Sequence, residues 1–267
     1  LTSNGEVLTN NHVINGATSI TVTVVSTGTT YKASVVGYSA TNDVAVIQLA
    51  DASGLQTISA AGSLPTVGQE VTGVGNAGGV GGTPSAAPGQ VTALDQAITA
   101  SDEGGGGAER LTGLIETNAP IAAGDSGGPL FDSSNKVLGM DTAASAGGAA
   151  QAYAIPIAHA LTLAQQIEAG QGSATVHIGA TAFLGVDVRD QGGAKVAAVV
   201  SGSAAAAAGL VAGDVITSVN GTSVTTADGL STALAPLTPG QKVSLGWTDA
   251  SGGSHTGSAT LAEGPAK

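Results

Sequence analysis

The sequence predicts a mainly β protein in two domains, and three observations carry that reading. Short runs rich in Val, Ile and Thr alternate apolar and polar residues at period two. Glycine is abundant, 42 of 267 residues, and it clusters with Asn, Asp and Pro between those runs, as short strands joined by tight turns require. At Ile157 the pattern changes to helical spacing, and a stop signal follows at Gly170. Many short strands closed by one helix suggest a β-barrel domain that ends there.

Taken in order, Val7 to Leu49 has a β pattern. Ser19 to Val25 alternates with period two, and Tyr31 to Tyr38 and Val44 to Leu49 read as further strands between turn residues. Val67 to Val74 is another strand, followed by a Gly/Pro-rich loop from Gly75 to Gly89. Gln90 to Leu94 and Leu111 to Glu116 flank an insert, Ser101 to Arg110, that contains four consecutive glycines. Lys136 to Met140 and Ala152 to Ile155 complete the set. In the helix Ile157 to Ala169, Leu161, Ala164 and Ile167 share one side. The expected division is a first domain over 1–170, a linker over 171–174 and a second domain over 175–264. The second domain has strands near Phe183 to Val188, Val196 to Val200, Val215 to Val219 and Val243 to Trp247. Its short helices are expected at Ala204 to Leu210 and Thr226 to Leu234.

Composition excludes several function classes. The formal net charge is -12 with 7 Lys+Arg, so the chain repels phosphate backbones, and no nucleic-acid partner is expected. No apolar run approaches the roughly 20 residues that span a bilayer, and no basic cluster marks a lipid surface. Without cysteine there is neither a disulfide framework nor a thiolate metal site. Aromatic residues make up 2% of the chain, which leaves Val, Ile, Leu and Ala to build the core. Leu1-Thr-Ser-Asn-Gly5 reads as a turn entering a strand, so the numbering is expected to open inside a domain, with any export signal upstream.

Three local motifs carry chemistry, in the order His, Asp, Ser. Leu8-Thr-Asn-Asn-His12-Val-Ile14 places an imidazole just past a strand end. Imidazole titrates near neutrality, so it can take a hydroxyl proton and return it to a leaving amine. Asn42-Asp43-Val-Ala-Val-Ile47 places an acid at the mouth of a buried strand, where it could accept from that ring. Taken alone, each is more simply a polar turn residue. Gly124-Asp125-Ser126-Gly127-Gly128-Pro129-Leu130 is far more specific. Its small residues let the backbone turn sharply around Ser126, and the turn Gly124–Asp125–Ser126 is the expected oxyanion hole, with the N–H groups of Gly124 and Ser126 aimed together. A plain turn explains the Gly and Ser, but not their place after a suitable His and Asp.

These motifs resemble those of the HtrA (DegP, or Deg) family of trypsin-like serine proteases, and the resemblance covers nearly the whole chain. That family reads close to L-T-N-x-H-V-I, D-x-A-V-[IL] and G-[ND]-S-G-G-P-L at the three places, and a PDZ domain follows. The resemblance implies a chymotrypsin-like double β-barrel with His12, Asp43 and Ser126 as a catalytic triad and a covalent acyl-enzyme. Here the first barrel is expected to lack at least one strand before His12. Ile121 and Ala144 would line the pocket for the side chain before the cut, favouring small or medium aliphatic residues. Gly79 to Pro88, Ser101 to Arg110 and Ala143 to Gln151 match loops that switch between disordered and competent arrangements in this family. Two positions depart from it. Asp125 stands where the family usually has Asn, which leaves the partner of its carboxyl open. Glu116-Thr-Asn-Ala-Pro120 replaces the usual T-D-A-A and bears on the lip of the pocket.

In the second domain, Phe183-Leu184-Gly185-Val186 resembles the loop of PDZ domains whose N–H groups receive a peptide's C-terminal carboxylate. Leu230 and Leu234, at i and i+4, would wall the site for the peptide's last side chain. The implied partners are unfolded protein substrates and C-terminal peptides, and the implied state of the full-length protein is a homotrimer. No cofactor or metal is expected: His159, His177 and His255 have no partner at ligand spacing. Gly73-Val-Gly75-Asn-Ala-Gly78 matches a dinucleotide fingerprint only formally, because glycines and proline follow instead of a helix. The leading expectation is an endoprotease acting on unfolded or misfolded proteins outside the cytoplasm of a bacterium. The competing one is a peptide-binding, chaperone-like module with little proteolysis, and an inactive protease-like scaffold ranks below both.

Overall fold

The first strands set the frame for the histidine and the aspartate. In this computed structural model, which describes residues 1–17, 19–101, 108–144 and 151–264, the chain divides into two units, Leu1–Ile178 and Gly179 onward. Unit 1 begins with β1 (Glu6–Thr9), a single helical turn α1 (Asn11–Ile14), β2 (Ile20–Val24), β3 (Thr29–Ser39) and β4 (Val44–Leu49). β4 is buried along nearly its whole length, with Val44, Ala45 and Val46 at 0% exposure, and antiparallel neighbours β1 and β3 flank it. A strand covered on both sides reads as a continuous apolar run, as Val-Ala-Val-Ile does here.

The second half of unit 1 comprises β5 (Glu70–Gly75), β6 (Ser85–Ser101), β7 (Ala108–Thr117), β8 (Pro129–Phe131), β9 (Val137–Ala144) and β10 (Ala152–Pro156). They close into an antiparallel barrel in the order β10-β7-β6-β5-β8-β9 around Val71, Val91, Ile115, Leu130 and Leu138. The helix α2 (Ile157–Glu168) begins at buried Ile157 and packs Ala160, Leu163, Ala164 and Ile167 against Val44 and Val46 of β4 and Leu111, Leu114 and Met140 of the barrel. The expected stripe is thus shifted by a fraction of a turn: Leu161 is half-buried and Leu163 takes the inner position.

After α2, β11 (His177–Ile178) pairs antiparallel with β3, giving the first sheet the order β1-β4-β3-β11, with β2 also on β3. The pair of barrels expected from the sequence therefore takes the form of one open sheet and one closed barrel among the described residues. Residues 175–178, expected in the second domain, lie in unit 1. Their docking depends on Gly37, where an added Cβ would lie 2.5 Å from the His177 carbonyl and 2.7 Å from Ile167 Cγ2. The loop expected over Gly75 to Gly89 also ends early. Residues 85–89 already pair with β5, and β6 bears register shifts near Val91, Ala93 and Gln96 that break its sequence periodicity.

Unit 2 comprises β12 (Ala182–Phe183), β13 (Val186–Asp190), β14 (Ala194–Val199), α3 (Ala204–Ala208), β15 (Val215–Val219), β16 (Thr222–Ser223), α4 (Ala227–Leu234), β17 (Lys242–Thr248), β18 (Ser254–Thr260) and β19 (Ala262–Glu263). The main sheet runs β13-β14-β15-β17-β18, β16 pairs with β15, and β12 pairs with β19. Leu184, Ile216, Leu230, Leu245, Trp247 and Leu261 fill the core. Both helices start on side-chain caps: Ser203 Oγ accepts from Ala206 N–H and Thr226 Oγ1 from Gly229 N–H. The single strand expected over Phe183 to Val188 is interrupted at Leu184–Gly185, because Gly185 has φ +84°. β18 has no apolar alternation to announce it. It is polar and mostly exposed, and Gly257 within it makes room for the Trp247 ring.

Replacing Gly37 with alanine forces a methyl into the contact between α2 and β11. The expected loss is about 1–3 kcal/mol, typical of overpacking, read as a lower urea midpoint for unit 1. An unchanged midpoint would show that β11 does not dock on β3 as described.

Candidate active site

Two backbone devices bring His12 and Asp43 together. β1 ends at Thr9, and α1 turns the chain at once, which leaves the His12 side chain 34% exposed. After β3, a short 3-10 turn over Ala40–Asn42 ends at Asp43, which takes the left-handed conformation (φ 52°) before β4 begins. Asp is among the few non-glycine residues that adopt this conformation readily, so the sequence supplies a type suited to the turn as well as to the charge. The Asp43 side chain is 3% exposed.

Its carboxyl is fully engaged. Oδ1 accepts from the His12 backbone N–H at 2.9 Å, and Oδ2 lies 2.8 Å from His12 Nδ1. Thr142 Oγ1 of β9 also donates to Oδ2, tying the first sheet to the barrel. A carboxylate only accepts, so Nδ1 carries the ring proton and Nε2 keeps its lone pair. Buried Asn10 adds a bond from Nδ2 to the Asp43 carbonyl at 2.9 Å.

Ser126 sits in the turn between Ile121 and β8. Its Oγ donates to the carbonyl of Thr142, the residue that also holds Asp43, at 3.3 Å. Glycines make the turn possible. Gly124 has φ +96°, and a Cβ there would meet the Asn76 carbonyl at 2.4 Å; Gly127 has φ +82° and abuts Thr9 Oγ1 of β1. Among the described residues, the N–H groups of Gly124 and Ser126 have no hydrogen-bond partner. The N–H of Asp125 donates instead to the Ala122 carbonyl at 3.0 Å, so of the three residues expected in the oxyanion hole, Asp125 has no free amide to offer.

The partner of the Asp125 carboxyl, left open by the sequence, is Ser85. Oδ1 accepts from Ser85 Oγ at 3.0 Å, Oδ2 accepts from Ala122 N–H at 2.9 Å, and Ser85 Oγ also lies 3.1 Å from the Gly75 carbonyl. Gly75 lacks a side chain where a Cβ would collide with Asp125 at 2.5 Å. Sequence reasoning missed Ser85 because it opens β6 within the stretch read as loop. Ile121 is buried in the barrel core next to this turn. Ala144 ends β9 opposite Ala152, but its side chain lies outside the described residues, as does most of the two expected switch loops around it and around the glycine run.

In unit 2, Leu184 and Gly185 form the break between β12 and β13. Their carbonyls are taken: Leu184 O accepts from Ala205 N–H at 2.8 Å and Gly185 O from Val200 N–H at 2.9 Å. Their N–H groups have no partner among the described residues. β13 is an edge of its sheet, and α4 packs near it with Leu230 buried and Leu234 half-buried. Leu230 is therefore mainly core, and Leu234 is the more accessible of the pair.

The trypsin-like peptidase domain family matches residues 1–140, and the PDZ domain family matches residues 195–248. The chain belongs to the trypsin-like peptidase family. The serine protease PepD of Mycobacterium tuberculosis is 35% identical to it, over 98% of this chain and 59% of that protein. The periplasmic pH-dependent serine endoprotease DegQ of Escherichia coli is 36% identical, over 91% and 54%. A solved structure of the HtrA-type protease AlgW with decapeptide matches with TM-score 0.54 and 27% identity, over 99% of this chain and 81% of that one. The resemblance to HtrA proteases with a PDZ domain is borne out. The chain spans somewhat over half the length of these curated relatives.

Ser85→Ala leaves Asp125 Oδ1 buried without its hydroxyl donor. The expected cost is about 1–3 kcal/mol of stability, measured by chemical denaturation, with Ser85→Thr partly restoring it.

Proposed function

We propose that this chain is the catalytic and peptide-recognising part of a serine endopeptidase that cuts unfolded or misfolded proteins outside the cytoplasm. The observation that carries the reading is the hydrogen-bonded pair His12–Asp43, joined through Thr142 to Ser126, whose turn leaves the amides of Gly124 and Ser126 without a partner among the described residues. Ser126 Oγ attacks the scissile carbonyl as His12 Nε2 takes its proton. Asp43 holds the ring in the required tautomer and stabilises the imidazolium. The two free amides receive the oxyanion, where such donors are worth several kcal/mol in the transition state. His12 then protonates the leaving amine, and water hydrolyses the acyl-enzyme by the same relay. Ile121 and Ala144 bound the primary pocket and favour small or medium aliphatic side chains.

In the second unit, the amides of Leu184 and Gly185 take a peptide carboxylate while the peptide adds a strand to the β13 edge and its last side chain meets Leu234. The decapeptide named with AlgW and the periplasmic location named for DegQ support the peptide partner and the extracytoplasmic setting. No helix among the described residues is long and apolar enough to cross a membrane. The full-length protein assembles as a homotrimer in this reading, and sedimentation as a stable monomer would count against that part.

The test is cleavage of casein and labelling by a fluorophosphonate, with Ser126→Ala as control. Cleavage and labelling that vanish in Ser126→Ala support the proposal. Suppression of aggregation without cleavage in either form favours the chaperone-like alternative. Asp43→Asn is expected to lower kcat by about 10⁴-fold while leaving peptide binding to unit 2 unchanged.

A further inference from the structure

One buried acid has no place in the proposed relay. Asp141 lies in β9, one residue before Thr142, with 0% exposure and neither carboxyl oxygen hydrogen-bonded. The other buried aspartates are satisfied: Asp43 by His12 and Thr142, Asp125 by Ser85 and Ala122, and Asp214 by Val211 N–H. The backbone of Asp141 is joined directly to the nucleophile turn. Its carbonyl accepts from Gly127 N–H at 2.8 Å, and its N–H donates to the Gly128 carbonyl at 2.8 Å. The side chain points to where two glycines of β5 leave space. A Cβ on Gly73 would lie 3.0 Å from Asp141 Oδ2 and 2.8 Å from Ile121 Cγ1, and one on Gly75 would strike Asp125.

Asp141, bonded to the turn, and Asp125, within it, are thus two buried carboxyls at one place. Titratable groups on the elements packed around Asp141 are Asp125 in the turn, Glu70 on β5, Tyr153 on β10, and His159 and Glu168 on α2. Of these only Asp125 acts on it, and it is another acid. Burial first, and the charge of Asp125 second, push the Asp141 carboxyl up to about 8. At neutral pH the group keeps its proton. Above that, a bare charge appears in the barrel interior, with no cation among the described residues acting on it, a situation that structures relieve by moving. The neighbour bonded directly to its backbone is the turn itself, built on Gly124, Gly127 and Gly128.

We propose that Asp141 is a positioning residue for Ser126: as a neutral acid it lets the Gly124–Gly128 turn close over it, and as a carboxylate it displaces that turn and disarms the nucleophile. This rests on the endopeptidase reading. The stability sign follows from the raised value. The folded state binds this proton more tightly than the unfolded chain, whose carboxyl sits near 3.8, so the contribution is full below that value and is lost as pH rises towards 8.

The experiment follows the rate of fluorophosphonate labelling of Ser126 between about pH 6 and 9.5 for the chain and its Asp141→Asn form, with thermal unfolding over the same range. The wild type is expected to lose labelling roughly tenfold per pH unit above its crossing, while Asp141→Asn stays level. Equal alkaline limbs in both forms overturn the proposal and leave the endopeptidase reading standing. No labelling at any pH defeats that reading and this proposal with it. Should Asp141→Asn fail to fold, the carbon-13 shift of the wild-type Asp141 carboxyl decides. Titration in step with the labelling rate supports the proposal, and titration in the ordinary carboxylate range overturns it.

Discussion

The carboxyl of Asp43 is the junction on which unit 1 depends. It receives two bonds from the α1 turn and one from Thr142 of the barrel, and its own left-handed backbone ends the 3-10 turn that launches β4. The open sheet and the closed barrel are thus held at one charge. Buried as it is, that charge is tolerable only while every donor stays in place. Thr142 extends the junction by a further bond, because its carbonyl receives Ser126 Oγ. Two of the three candidate catalytic side chains therefore hang on one residue of β9, a residue that no motif marks.

Much of this was legible in the sequence. β4 and β15 were placed with their ends, and α2 to within a residue, because their apolar patterns are clean and Asn, Asp or Gly bounds them. His12, Asp43 and Ser126 stood out because each lies in a local motif, and their order made them a set. What stayed hidden was non-local. β11 is two residues of a strand that exists only because β3 offers Gly37. Ser85 matters through a hydroxyl that meets Asp125, 40 residues on. Asp141 looked like any polar residue in an alternating strand, since its inward face and lack of partners are properties of the barrel.

Glycine works here by subtraction. At Gly73 and Gly75 the missing side chains make the volume in which Ile121, Asp125 and Asp141 sit, and at Gly124 the missing side chain lets the turn lie on residues 76–79. In unit 2, Gly185 does the same against Ser203, and its positive φ separates β12 from β13 so that two amides stay unpaired. Both candidate sites are thus gaps in hydrogen bonding held open by conformations that an alanine could not take without strain. A composition first read as favouring tight turns proves to favour close approach as well.

The single tryptophan has a spectroscopic consequence. Trp247 is buried in unit 2, stacked on the His255 ring at 5.7 Å, and unit 1 contains no indole at all. Intrinsic emission excited at the red edge of protein absorption therefore reports on unit 2 alone. Unit 1 can melt without a signal in that channel, and its unfolding has to be followed by circular dichroism or by a probe placed there on purpose.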